Sequence, residues 1–172
     1  MAPTTTTRGA SHAVRRILAL TLAILSCGVI AGTAAAGTHH ETRVAGTYAV
    51  TEFGDTSCVS VSAVVLRCTT KGLKSVYEGD LTGDTTSDFD QVINCATGRT
   101  IGQGIETFSG TVRGGQAGTL KWRILFAADF DCTTFYPTNF HALSLITQAT
   151  GGLSGMGGVL RFGDVAYDGL LR

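Results

Sequence analysis

The feature that most constrains this chain is a series of short runs in which apolar and polar residues alternate. Examples are AGTYAVTEF (45–53), CVSVSAVVLRC (58–68) and TLKWRILFAADF (119–130). An alternation of period two is typical of half-buried β-strands, whereas an amphipathic helix repeats every 3.6 residues. No stretch after residue 36 has a persuasive helical period, and this part of the chain holds one proline, Pro137. The sequence therefore predicts an all-β protein.

The runs follow one another closely enough to predict about eight or nine strands. The remaining runs are LKSVYEGDLTG (73–83), SDFDQVINC (87–95), TIGQGIETFSGTVRG (100–114), NFHALSLITQAT (139–150), GGLSGMGGVLRFG (151–163) and DVAYDGLLR (164–172). Strands at this spacing are typical of a sandwich or a barrel, and closure into a barrel leaves no sheet edge exposed. We therefore predict a single small antiparallel barrel, with its last segment beside its first. Side chains can fill the interior of an eight-stranded barrel, or it can hold one small ligand.

The first 36 residues have the pattern of a signal peptide. Arg15 and Arg16 precede the apolar run ILALTLAILSCGVIAG, and Ala34 and Ala36 supply the small residues of a cleavage site. We therefore predict residues 1–36 as a signal peptide that is removed on secretion. Residues 37–44 are predicted to be a flexible terminus and 45–172 the barrel.

Two variants of export stay open. The arginine pair resembles a twin-arginine signal, although Val14 stands where Ser or Thr is usual. Cys27 within the apolar run is also a candidate lipidated cysteine, which would make the protein an anchored lipoprotein. Without such an anchor, the mature chain is predicted to have no membrane segment, because no second long apolar run follows the first.

Four cysteines remain after cleavage, and an even number in an exported chain predicts two disulfides. Three pairings are open. Cys58 with Cys68 would close a hairpin, and Cys95 with Cys132 would then join two distant connections. No pair has the spacing of a zinc site, so no metal is predicted.

The charge of the chain argues against a nucleic-acid partner. Without residues 1–36, ten Lys and Arg face thirteen Asp and Glu, a net charge of −3. No basic block remains, so the composition gives no support to nucleic-acid binding.

Five segments, in this order along the chain, carry a resemblance to a known family. They are GTYAVTEF, YEGDLTGDTTSD, IGQGIETFSGTVRGGQAGTLKW, TGGLSGMGGVL and VAYDGLL. This order resembles domain-of-unknown-function family 3224, whose fold is related to the calycin-type barrel of allene oxide cyclase. The resemblance implies that barrel. It implies no activity, because the family has none to carry over.

Glu106 is the candidate for chemistry. Alternation places Gly104, Glu106 and Phe108 on one face of their strand, so an inward Phe108 implies an inward Glu106. A buried carboxyl group with a raised pKa suits a general acid or base. The alternative is a structural acid that hydrogen-bonds its neighbours.

Aromatic residues indicate where a ligand would bind. Trp122 and Phe126 share one strand face, and with Glu106, Phe108 and His141 they form the predicted ligand site. The alternative is an ordinary core. Asp88 and Asp90 flank Phe89 and are predicted to face solvent. No nucleophile elbow, phosphate loop or His-rich set occurs, so no cofactor is predicted.

Three hypotheses about function follow. The first is a secreted barrel that binds a small apolar or amphipathic molecule. The second is a cyclase or isomerase in which the cavity folds a reactive ligand and Glu106 handles the proton. The third is a structural or interaction barrel whose interior is filled.

Overall fold

The computed structural model describes residues 41–172, all of which belong to one compact unit. The predicted signal peptide and Cys27 lie outside the described residues. Nine strands account for most of the described chain. They are β1 (Thr42–Glu52), β2 (Asp55–Ser62), β3 (Val65–Gly79), β4 (Leu81–Asn94), β5 (Arg99–Val112), β6 (Gly118–Asp131), β7 (Tyr136–Gly151), β8 (Gly158–Phe162) and β9 (Ala166–Leu171). No helix in residues 41–172 has the length and hydropathy needed to span a bilayer.

The strands form one antiparallel sheet that closes on itself. Their order is β1-β9-β8-β7-β6-β5-β4-β3-β2, and a further pairing of β1 with β3 closes a ring of eight strands. The last strand therefore lies beside the first, with Thr42 opposite Leu171. The predicted all-β barrel is confirmed.

The strands differ greatly in length, and the ring is consequently closed along only part of its height. Strands β3 to β7 have 14–16 residues, whereas β8 has five and β9 has six. Strand β8 pairs with β7 only over Ala142–Leu145, and β9 pairs with β1 only over Thr42–Thr47. Beyond these limits the five long strands and β2 continue as an open, curled sheet. We call these two parts the closed half and the open half.

Two hydrophobic clusters occupy the inner face of the sheet. The larger lies in the closed half and its most central side chains, among them Tyr77, Phe108, Trp122 and Leu160, are fully buried. The smaller consists of Cys68, Ile93 and Phe130 and lies in the open half. Along β6 the inner face runs from Leu120 in the first cluster to Phe130 in the second, and β3 and β4 also contribute to both clusters.

The observed strands differ from several of the predicted runs. The run 73–83 spans the end of β3 and the start of β4, and β4 continues through residues 84–86, which lay between two predicted runs. The run 58–68, interpreted as one strand, is a hairpin that turns at Ala63 and Val64, and no Gly, Pro, Asn or Asp marks that turn. The glycine at 72, which separated two predicted runs, forms a bulge inside β3, where its positive φ of 71° accommodates the shift in register. Also, β1 begins at Thr42, inside the segment predicted as flexible, because its first residues pair with β9 and bury Val44.

Two disulfides lie in the open half. Cys58 pairs with Cys68 across β2 and β3, and Cys95 pairs with Cys132, which joins the β4–β5 turn to the β6–β7 turn. The pairing that closes a hairpin and staples two distant connections is thus the one observed.

The longer of the two disulfide loops should contribute more to stability. The Cys95–Cys132 bond spans 37 residues, for which chain entropy predicts a stabilisation of about 4 kcal/mol, against about 3 kcal/mol for the ten-residue Cys58–Cys68 loop. Replacing Cys95 and Cys132 together by Ala should lower the free energy of unfolding in urea accordingly. A loss no larger than that of the Cys58/Cys68 double variant would contradict the loop-length argument.

Candidate functional site

The inner face of β5 presents Glu106 to the centre of the barrel. Buried positions alternate along this strand, and Glu106 and Phe108 point inward together. Glu106 is opposite Ser87 on β4 and Trp122 on β6. Only 5 % of Glu106 is exposed, so the carboxyl group lies inside the closed half and not at its surface.

Both oxygens of the Glu106 carboxyl group accept hydrogen bonds from aromatic side chains. The Tyr77 hydroxyl on β3 donates to Oε1 at 3.0 Å, and the Trp122 indole Nε1–H donates to Oε2 at 3.0 Å. The contact with Tyr77 reaches across β4, which lies between β3 and β5. We call Tyr77, Glu106 and Trp122 the buried triad.

The environment of the triad favours a proton on Glu106. Burial raises the pKa of the Glu106 carboxyl above its ordinary value, and the hydroxyl and indole donors of Thr85, Trp122, Tyr77 and Ser87 oppose that rise. No Lys or Arg among residues 41–172 contributes to the shift. Burial is the largest cause that raises the pKa of Tyr77, and the charge of Glu106 is the second. The triad is therefore a buried acid without a counter-ion.

Aromatic rings from several strands pack around the triad. The Tyr77 ring packs within 6.2 Å, between centroids, of five others: Tyr48, Phe108, Trp122, Phe162 and Tyr167. Because these rings fill the centre and Trp122 is 0 % exposed, a substrate has no access to the carboxyl group in this conformation. The arrangement can hold a proton or a charge inside the barrel, but it does not expose either.

A second group of aromatic side chains lies on the inner face between the two clusters. Phe89 on β4, Phe126 on β6 and Phe140 on β7 are only partly buried. The ring of Phe126 is 5.5 Å from that of Phe89 and 5.7 Å from that of Phe140, between centroids. We call these three residues the aromatic band.

Two glycines of β5 make room for this band. A Cβ atom built on Gly102 would lie 2.2 Å from Cζ of Phe126, and one built on Gly104 would lie 2.5 Å from Cβ of Phe89. Both glycines are in the middle of a strand. Gly102 lets the Phe126 ring lie on the backbone, and Gly104 lets the backbone of β4 at Asp88 and Phe89 approach closely. The alternation that places Gly104 on the same face as Glu106 does not reveal these contacts.

The predicted ligand residues are separated by the structure into three places. Glu106, Phe108 and Trp122 are in the buried centre, and Phe126 is in the aromatic band. His141 is exposed on the outer face, because it alternates with the inward Phe140 and Ala142. Its placement in a site inside the barrel is therefore corrected.

Several inner residues have no counterpart among the predicted ones. Tyr77 completes the triad, and the alternation of its run could have placed it inward. Ser144, 0 % exposed on β7, has a hydroxyl with no hydrogen-bond partner among the described residues. Tyr48 donates its hydroxyl to the Gly163 carbonyl at 2.6 Å. Neither the burial of the Ser144 hydroxyl nor the Tyr48 hydrogen bond could be deduced from spacing, because both depend on how distant strands meet.

The outer face carries the charged groups. Asp88 and Asp90 are exposed, as predicted, and they border a shallow depression of about 550 Å³ together with Lys71, Lys121 and Arg123. Asp88 pairs with Lys71 at 3.4 Å. Within residues 41–172, no three His, Cys, Asp or Glu side chains are grouped so that they could hold a metal ion.

Comparison with solved structures finds a similar fold. No family model matches the chain, and no curated protein does. The fold is similar to that of a protein of unknown function from the DUF3224 family of Shewanella oneidensis MR-1. The two share 14 % identity and a TM-score of 0.48, over 77 % of this chain and 97 % of that one. That is the family which the sequence motifs resemble.

Ionisation of Glu106 should make stability depend on pH. The folded state binds this proton more tightly than the unfolded chain, so the stabilisation is fully present below the usual glutamate pKa and is lost as pH rises through the raised value. Glu106→Gln keeps an acceptor for the indole and removes the titration. The free energy of unfolding of the wild type relative to this variant should therefore fall as pH rises above the ordinary glutamate pKa of about 4.3. A constant difference would contradict a raised pKa.

Removing the side chain should be far more damaging than neutralising it. Glu106→Ala leaves the Trp122 Nε1–H buried without an acceptor and opens a cavity, which together cost about 3–5 kcal/mol. Urea unfolding followed by the emission of Trp122, the one tryptophan of the chain, measures both variants. Equal losses for Ala and Gln would contradict the hydrogen-bonded role.

Proposed function

We propose that this protein is exported and binds a small, largely apolar molecule with a flat ring system in the aromatic band. The observation that carries the proposal is the partial burial of three inward aromatic rings on a face that β8 and β9 do not cover. Inner-face rings of a small barrel normally pack against an opposite wall. Among residues 41–172 no strand completes that wall opposite the band, because β8 pairs with β7 only over Ala142–Leu145.

The chemistry of the band supports an apolar ligand. Phe89, Phe126 and Phe140 offer ring faces and edges at the spacing of aromatic contacts. Mostly apolar walls with a few polar groups are usual in small-molecule sites.

Export is supported by the two disulfides, which are consistent with an extracellular protein. The signal-peptide pattern of residues 1–36 also supports export. A catalytic role as a cyclase or isomerase has less support, because Glu106 is surrounded by rings and both of its oxygens already accept hydrogen bonds.

Binding should be measurable through Trp122. Phe126 is four positions further along β6 than Trp122, a distance of about 13 Å. This distance is short enough for energy transfer from Trp122 to a bound dye. Anilinonaphthalene sulfonate, a flat apolar probe with one charged group, should bind saturably and quench Trp122 emission. Phe126→Ala should weaken this binding roughly tenfold, which corresponds to the loss of one buried ring contact.

The matched control is Leu125→Ala, which truncates the adjacent residue on the outer face, where Leu125 is 51 % exposed. This variant should bind the probe as the wild type does. Absence of saturable binding, or equal effects of the two variants, would overturn the site and favour a barrel whose interior is filled.

A further inference from the structure

Strand β2 leaves one of its two edges without a partner. Among residues 41–172, β2 pairs only with β3 and is the last strand of the sheet order. All eight of its residues are exposed. It follows β1 along the same edge of β3, but β9, which covers the other edge of β1, does not extend to β2.

The free edge has hydrogen-bonding groups at defined positions. The Cα atoms of Cys58 and Cys68 are 4.1 Å apart, the close spacing of a pair that does not exchange backbone hydrogen bonds. The backbone N–H and C=O of Cys58 therefore point away from β3, and those of Thr56 and Ser60 do the same by alternation. The disulfide holds this row of donors and acceptors in place.

The edge lacks the features that usually prevent pairing. No charged residue or proline lies between Asp55 and Arg67. Val59 and Val61 are each 63 % exposed on the outer face of the strand. Natural sheets protect such edges with Lys, Pro or a bulge. Here the one irregularity lies between Ser60 and Ser62, which leaves Asp55–Ser60 regular.

We infer that β2 is an interaction edge that pairs antiparallel with β2 of a second copy of this chain. A two-fold axis perpendicular to the sheet places the one charged residue of the strand, Asp55, at opposite ends of the pair. Parallel pairing would set the two Asp55 side chains side by side, which is unfavourable. The same axis keeps Val59 and Val61 of both copies on one face.

The ends of the strand are complementary under this symmetry. Phe53, 79 % exposed, precedes β2, and Val64, 44 % exposed, follows it. Antiparallel pairing brings the end that holds Phe53 in one copy to the end that holds Val64 in the other. The second copy would therefore cover apolar side chains at both ends as well as the backbone edge.

Sedimentation velocity of the protein purified from cells that express the full chain tests this inference. The wild type should be a dimer at micromolar concentrations. Ser60→Pro removes an outward N–H without touching the bonds to β3, and Val59→Lys places two cations close together; each should raise the dimer dissociation constant at least tenfold. Unchanged Trp122 emission would show that both variants are folded.

Ile101→Lys is the matched control, because Ile101 is also 63 % exposed but lies on the outer face of β5. It should leave the dimer unchanged. A monomeric wild type at every concentration, a dimer that survives both β2 variants, or one that only Ile101→Lys dissociates would overturn the inference. Amide exchange adds a positional readout: Thr56, Cys58 and Ser60 should become protected as concentration rises, whereas equal protection at all concentrations would argue against the edge.

Discussion

The closed half depends on a carboxyl group that is buried without a counter-ion. Glu106 accepts hydrogen bonds from Tyr77 on β3 and from Trp122 on β6, so one side chain on β5 links strands on both sides of it. A buried polar group that is fully hydrogen-bonded specifies one arrangement of its neighbours, since any other packing would leave it unpaired. The surrounding rings are thereby held in a single registry, and the same rings keep water from the carboxyl group. Structure and chemistry are coupled here: what makes the acid useful for specifying the core also makes it inaccessible.

The unequal strand lengths explain why the chain has two different interiors. Where β8 and β9 complete the ring, the inner face is filled. Beyond the ends of β8 and β9, the same five long strands continue with β2 alone beside them. The aromatic band lies at the boundary between the closed half and the open half. Gly102 and Gly104 allow Phe126 and Phe89 to lie close to β5 in this region. The backbone of β5 consequently supports the band on one side, although no strand of residues 41–172 covers its other side.

Alternation was sufficient to predict the all-β fold, the inward direction of Glu106 and the outward direction of Asp88 and Asp90. The alternation pattern failed where the propensities within one run and the long-range strand pairing disagree. Neither Ala63 nor Val64 is a typical turn residue, and Val64 has high strand propensity, yet the two form a turn because the Cys58–Cys68 register pairs the segments on either side. His141 was assigned to the site by residue type, although its own alternation with Phe140 places it outside. The contact of Tyr77 with Glu106 crosses an intervening strand, and the partial exposure of the band depends on where β8 ends, so neither is encoded in any single run.

The position of the two disulfides follows from the same asymmetry. The cluster of the closed half has twelve buried members, whereas that of the open half has three, one of which is Cys68 itself. A core of that size buries too little apolar surface to order six strand segments, and small cores in exported proteins are commonly reinforced by disulfides. Cys58–Cys68 and Cys95–Cys132 are both in this half, where they restrain the hairpin of β2 and β3 and the two turns beyond the band. The open half therefore keeps an uncovered inner face and a free edge because covalent bonds, and not a second wall of strands, hold it together.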